Sequence, residues 1–424
     1  MKDRLPAISF VLSAVVLSSV YGVFAQRNGW FPAAQIAQAE ATIRDVQANW
    51  KNDLALEPTR HLVEAYEQDR PADATGFQLV DPDAITPGFT LIAGLSKDQD
   101  RTAFDVSLYD EEGQRRHVWP VDYARLDPEG LKPLNVMLHG MEVFEDGSIA
   151  VTFDAGNAIA RLDACGEPIW SRNGGYHHSI HRDETGGLWV WRENTITRLN
   201  EETGEETYAL NLEDGIMRRD GEEDGAIAVR SFIGGGEQDL SYTGDPFHAN
   251  DVEPLSAEMA EAFPDFEAGD LLISLREINL VAVVDPESGA LRWWQHGPWL
   301  KQHDPDFQPD GTITVYDNGS GTGTSKIRRI DPETRETRTI VAGSDSFPFY
   351  SWQRGKHQVL ESGNLLVTEA QHGRVFEVTP TGATVWERDM IWDAERNLIV
   401  TEARHVAPDF FEDGLPGCAT KSES

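Results

Sequence analysis

Five histidines recur at one phase of a repeating pattern: His139, His178, His248, His303 and His357. The step from His139 to Gly147 is eight residues, as it is from His178 to Gly186 and from His303 to Gly311. His248 and His357 hold the corresponding place with altered loops. Near neutral pH an imidazole is a nucleophile, a base and a metal ligand, so several of them gathered together invite group-transfer, acid–base or metal chemistry. Arg276 adds a guanidinium fork suited to two oxygens of one anion. Taken singly, each histidine has a competing structural reading, a ring bonded to the backbone of a neighbouring element.

What must position these side chains is an internal repeat. One template recurs: His, a turn at Asp-Gly or its equivalent, an apolar strand, a second strand ending in Asp, a Gly turn, and a strand bearing Trp. After His139 it reads Asp146-Gly147, Ile149-Ala150-Val151, Ile159 to Asp163, Gly166 and Trp170. Copies follow from His178, His248, His303 and His357, and Phe89 to Pro120 fits as a first copy without the leading His. A period of about 40 to 55 residues is that of four-stranded propeller blades. So small a unit cannot bury both its faces, so the copies must stack around an axis. The expectation is an all-β, six-bladed β-propeller. A seventh blade has room in Glu213–Gly244 or after Asn397. Repeated position within a repeat becomes repeated position in space, so the five histidines are predicted to ring one mouth of the central channel. The long segments Glu213–Gly244 and Pro254–Phe266 are expected on the rim, where lids and specificity loops reside.

Composition narrows the partners. Acidic residues number 72 against 36 basic ones, a net charge of −36 that repels nucleic acid and anionic lipid. The two cysteines, Cys165 and Cys418, make neither a disulfide scaffold nor a thiolate metal site, and their pairing with each other stays open. Leu5 to Ala25 carries no charge and has the length of a bilayer span, while Val23-Phe24-Ala25 also fits a signal cleavage site. Ile36, Ala39, Ile43, Val46 and Trp50 recur at helical steps. The expected organisation is therefore a signal anchor or signal peptide over 1–26, a helical linker or stalk over 27–75 and the propeller over 76–424. The bulk of the chain would be exported, to the periplasm or the outer face of the inner membrane, touching the membrane through its N-terminal helix only.

Several segments resemble the arylsulfate sulfotransferase family. They are Phe247-His248-Ala249-Asn250, Leu272-Ile273-Ser274-Leu275-Arg276, Gln302-His303-Asp304 and Val315-Tyr316-Asp317-Asn318-Gly319, with Leu360 to Leu366 and Gly373 to Val378 similar to a further blade. The resemblance covers about Met137 to Val378. It implies a bacterial, periplasmic six-bladed propeller that moves a sulfuryl group from an aryl sulfate to a phenolic acceptor through a sulfohistidine, with no nucleotide donor, cofactor or metal. By resemblance His303 would be the nucleophile. His248, His178 and Arg276 would hold the sulfate and protonate the departing phenolate. Asn250 would be a supporting donor, with His139 and His357 lining the substrate. The tandem His177-His178 and nearby His181 leave that blade's assignment open, and the repeat phase favours His178. Two other readings stay open: a metal enzyme ligated by the ring of histidines, with Asp251 and Asp304 behind them, and a non-catalytic propeller that binds a partner.

Overall fold

The computed structural model describes residues 5–28, 31, 33–71, 74–97, 104–217, 227 and 245–418. Met1–Arg4 and most of the Glu213–Gly244 segment, including Asp224-Gly225 and Gly234-Gly235-Gly236, lie outside the described residues. The chain divides into two compact units, Met1–Arg60 with Arg230–Ser241, and His61–Val229 with Tyr242–Ser424.

In the first unit, helix Leu5–Asn28 contains a stretch, Ile8–Arg27, long and apolar enough to cross a membrane, with mean hydropathy 2.1. Its large side chains, Phe10, Leu12 and Leu17 among them, are exposed. A second helix, Ala33–Asp53, follows, and Arg60 forks onto its Asp45 carboxylate with both contacts at 2.8 Å.

The second unit is a ring of six antiparallel sheets. Blade two is Met137–Val143, Ile149–Asp154, Ala158–Leu162 and Pro168–Asn173. Blade three runs from Tyr176–Arg182 to Glu206–Asn211 and blade four from Ala249–Pro254 to Leu291–His296. Blade five runs from His303–Phe307 to Thr337–Ala342 and blade six from Lys356–Val359 to Thr384–Asp389. Each begins with its innermost strand. Blade one does not: Phe89–Leu95, Phe104–Tyr109 and Arg115–Val121 receive their innermost strand, Val400–Val406, from the end of the chain. That is why the first copy lacked its leading segment, and why the residues after Asn397 form no seventh blade. Phe77–Leu79 adds a fifth strand outside blade six. The ring is thus closed by both ends of the propeller sequence.

The repeated residues have mechanical roles. Gly147, Gly186 and Gly311 sit at φ of +80°, +79° and +79°, a left-handed turn that costs glycine nothing. The indole N–H of Trp119 donates to Gly147 O of the next blade, that of Trp170 to Glu201 O, and that of Trp293 to Pro332 O, at 2.8 to 3.0 Å. Each of these tryptophans thereby fills an inter-blade layer and satisfies its only polar atom on the neighbour. Between blades one and two, Leu91, Phe104, Trp119, Val151 and Phe153 share one core.

Cys165, in the turn after Ala158–Leu162, is disulfide-bonded to Cys418, with Cα atoms 5.1 Å apart. The bond ties the chain beyond the closing strand to blade two. Reduction, or Cys165→Ser, is expected to lower unfolding stability by about 2–4 kcal/mol, seen as a lower melting temperature of the full chain. An unchanged melting temperature would show that the bond does not constrain ring closure.

Candidate functional site

The innermost strands do more than line the channel. Those of blades two, three and five break register at a histidine, between Leu138 and Met141, His177 and Ile180, and His303 and Asp306, while in blade four the break falls at Asn250, two residues after His248, and in blade one at Thr401. Such bulges re-aim a side chain. His178 and His248 also take left-handed backbone, φ +62° and +48°, a conformation uncommon for residues other than glycine. Lys356–Val359 in blade six pairs in unbroken register, with His357 opposite Val367.

The consequence is a connected group of rings. His139 and His178 meet edge to face at 4.6 Å between centroids, and His178 and His248 at 5.1 Å. His303 is within electrostatic reach of His139, His178 and His248. Close approach of blades two and three depends on Gly140, where a Cβ would collide with His178 O. His357 is engaged elsewhere: its Nδ1 lies 3.0 Å from Asp304 and its Nε2 3.4 Å from Asp306. The regular register of its strand is the reason its ring faces carboxylates rather than joining the bulged set.

The proton positions follow from the partners. Asn318 donates through Nδ2 to Ser351 O at 2.7 Å and Arg354 O at 2.5 Å, so its Oδ1 faces His303 Nδ1 at 2.7 Å as an acceptor. His303 therefore carries its proton on Nδ1, and Nε2, buried and without a partner, presents a lone pair. Burial above all, then the charges of Arg276, His248 and Lys356, overcome the favourable bond to Asn318 and push this imidazole down to about 3. His177 Nε2 donates to Glu193 O at 3.0 Å, which leaves its Nδ1 to accept from His178 Nδ1 at 2.6 Å. His178 is in turn left with a lone pair on Nε2, and burial keeps it and His139 well below the ordinary imidazole value. His248 Nδ1 rests on the Asp245 carboxylate at 2.5 Å, a contact that lowers the Asp245 pKa.

Around the rings the charges are paired. Arg276 donates to Glu277 Oε1 from Nη2 at 2.9 Å and more weakly from Nε at 3.3 Å. Asn250 donates to Gln302 O at 2.9 Å, and its buried Oδ1 has no partner. Arg354 and Asp154 form an ion pair at 2.5 Å; burial alone would raise Asp154, but the guanidinium holds it well below the usual carboxylate range. A cavity of about 470 Å³ opens beside the rings, lined among others by Asp154, His177, His178, Glu193, Asp245 and His248. This is the size of a small-ligand site.

Asn318, Asp245, Arg354 and Lys356 were not singled out as site residues from the sequence. Asn318 stood inside a quoted segment, and Asp245 three residues before His248 was a usable signal. Arg354 and Lys356 come from the entry to blade six, where the repeat pointed to His357.

The sequence pattern of the arylsulfotransferase (ASST) family matches residues 140–391, more than half of the chain. A search of curated protein sequences finds no match. Solved structures that superpose include a protein of unknown function from Bacteroides caccae, with 13% identity and TM-score 0.49 over 76% of this chain and 99% of that one. TolB from Acinetobacter baumannii superposes with 11% identity and TM-score 0.45 over 75% and 66%. A virginiamycin B lyase from Staphylococcus aureus does so with 13% identity and TM-score 0.41 over 74% and 89%.

A testable consequence concerns the state of His303. Its folded value lies below the ordinary 6.5, so the ring takes no proton between pH 8 and pH 5, and its burial costs stability as the pH falls below about 6.5. Long-range proton–nitrogen NMR of histidine-labelled full chain is expected to show an Nδ1–H tautomer unchanged over that range. A ring that titrates near 6.5 would contradict the geometry.

Proposed function

The chain belongs to the arylsulfotransferase family, and on that footing we propose that it transfers a sulfuryl group from an aryl sulfate to a phenolic acceptor through a sulfohistidine on His303. One observation carries the reading: a buried, neutral imidazole whose Nε2 lone pair is unpartnered and whose Nδ1 proton is held by an amide.

In the first step Nε2 attacks sulfur, an N–S bond forms and the bond to the aryl oxygen breaks. The departing phenolate takes a proton from His248, whose Nδ1 stays on Asp245. Arg276, with its Nη1 edge, and the nearby Lys356 supply positive charge for the sulfuryl oxygens, as fixed cations do in phosphoryl transfer. In the second step His178 Nε2 accepts the proton of the incoming phenol, whose oxygen attacks sulfur as the N–S bond breaks and His303 leaves as neutral imidazole. His178 then passes that proton to the adjacent His248, 5.1 Å away between ring centroids, so that both return to their starting states.

The choice of Asn318 rather than a carboxylate behind His303 suits this cycle. A neutral acceptor leaves the proton on Nδ1, so the sulfurylated ring stays cationic and remains a good leaving group. A carboxylate would draw that proton away and stabilise the adduct.

The N-terminal helix supports a single-pass signal anchor or a cleaved signal over 1–26, a helical linker over 27–75 and a propeller over 76–424. The Cys165–Cys418 bond suits an oxidising, extracytoplasmic compartment.

The test mixes the full chain with a chromogenic aryl sulfate and a phenolic acceptor, without nucleotide. Acceptor-dependent phenol release is expected, and His303→Ala should reduce it at least about a thousandfold. Silence across donors in a folded protein would overturn the proposal. Asn318→Ala is expected to lower kcat about 10–100-fold with little change in KM. Asn318→Asp should accumulate a base-stable adduct heavier by one sulfuryl group; absence of that adduct would remove Asn318 from the cycle.

A further inference from the structure

Further along the same innermost strands the channel changes character. Glu142, Asp251, Glu253, Asp304, Asp306 and Glu402 all lie on those strands. Arg404 takes Glu142 at 2.7 Å and Glu402 at 3.0 Å, Lys356 takes Asp304 at 2.8 Å, and His181 takes Asp251 at 3.0 Å. Among the described residues no Lys or Arg reaches Asp306 or Glu253 within ion-pair distance. Glu253, on blade four, accepts from Phe307 N at 2.8 Å, whereas Asp306, on blade five, faces blade six.

The geometry there is specific. His357 is buried, with no exposed side-chain area. Both its backbone N–H and its Nδ1 meet Asp304 Oδ2, at 2.5 and 3.0 Å. Asp304, also bound by Lys356, can only accept, so the imidazole proton is on Nδ1 and the lone pair on Nε2. That Nε2 has no hydrogen-bond partner and faces Asp306 Oδ2 at 3.4 Å. Burial, with the Asp304, Glu253 and Asp251 carboxylates nearby, pushes the Asp306 pKa well above the ordinary carboxylate value, so the two atoms face each other across either a proton or a cation. The separation matches the edge of a tetrahedron whose metal–ligand bonds are about 2.0–2.1 Å, roughly 3.3 Å. An imidazole backed by a carboxylate is also the usual way a metal-binding ring is oriented.

We propose that a divalent transition cation of the Zn²⁺ or Mn²⁺ class binds between His357 Nε2 and Asp306 Oδ2, with Asp304 orienting the imidazole and water completing the shell. One nitrogen with few oxygens does not suit Ca²⁺, which takes six to eight oxygens. The cation pins blade five to blade six, and this site does not depend on the sulfuryl-transfer reading.

The test uses the full chain, freed of metal by chelator and titrated calorimetrically with Zn²⁺ and with Mn²⁺. One equivalent is expected to bind to the wild-type chain and raise its melting temperature. Asp306→Asn, which keeps the side-chain shape, and His357→Gln should each weaken binding about 10–100-fold. Cobalt substitution should give a visible ligand-field spectrum that both variants lose. No saturable binding to the wild-type chain would overturn the proposal, and a proton would then hold the pair. Equal affinity in Asp306→Asn, or loss of binding only on His139→Gln or His178→Gln, would overturn it too, the latter by placing the metal at the outer rings.

Discussion

A four-stranded blade has two apolar faces and no means of covering either by itself. The architecture of the propeller follows from how the ring answers that constraint. Blade one obtains its innermost strand from Val400–Val406, blade six is extended by Phe77–Leu79, and the tryptophans of blades one, two and four reach across to the next blade's backbone. Radial stacking leaves each blade only a short, protected edge along the channel. It also forces those strands to converge, so that whatever they carry is brought into a space a few side chains wide.

Convergence explains the electrostatics. Imidazoles packed against one another at 4.6 to 5.1 Å cannot all be charged, and burial resolves the matter by keeping His139, His178 and His303 neutral. Neutrality is what nucleophilic and basic roles require. The net charge of −36 is no obstacle to an anionic substrate at the centre. Surface charges are screened beyond about 8 Å at physiological ionic strength, while Arg276, Arg354 and Lys356 act locally in a poorly solvated interior. Their carboxylate partners Glu277, Asp154 and Asp304 prevent the cations from repelling one another and hold them in place.

The two ends of the channel wall then diverge for a simple geometric reason. Where blades two, three and five break register, His139, His178 and His303 join one group of rings; where blade six stays in register, His357 meets the carboxylates of blade five. One difference of register separates a ring suited to group transfer from a cluster suited to a cation.

By itself the sequence determined the repeat, the expectation of six blades, the apolar N-terminal helix and the gathering of His139, His178, His248 and His303. These follow from local periodicity: turn glycines, alternating apolar strands and a histidine at constant phase are properties of neighbouring residues. Tertiary structure alone decided that the last strand completes blade one, that His357 turns from the other rings, that Asn318 sets the tautomer of His303, and that Lys356 sits among carboxylates. Those outcomes depend on pairings between residues far apart in the chain, on bulges that shift a side chain without changing its repeat position, and on burial, none of which a local pattern records.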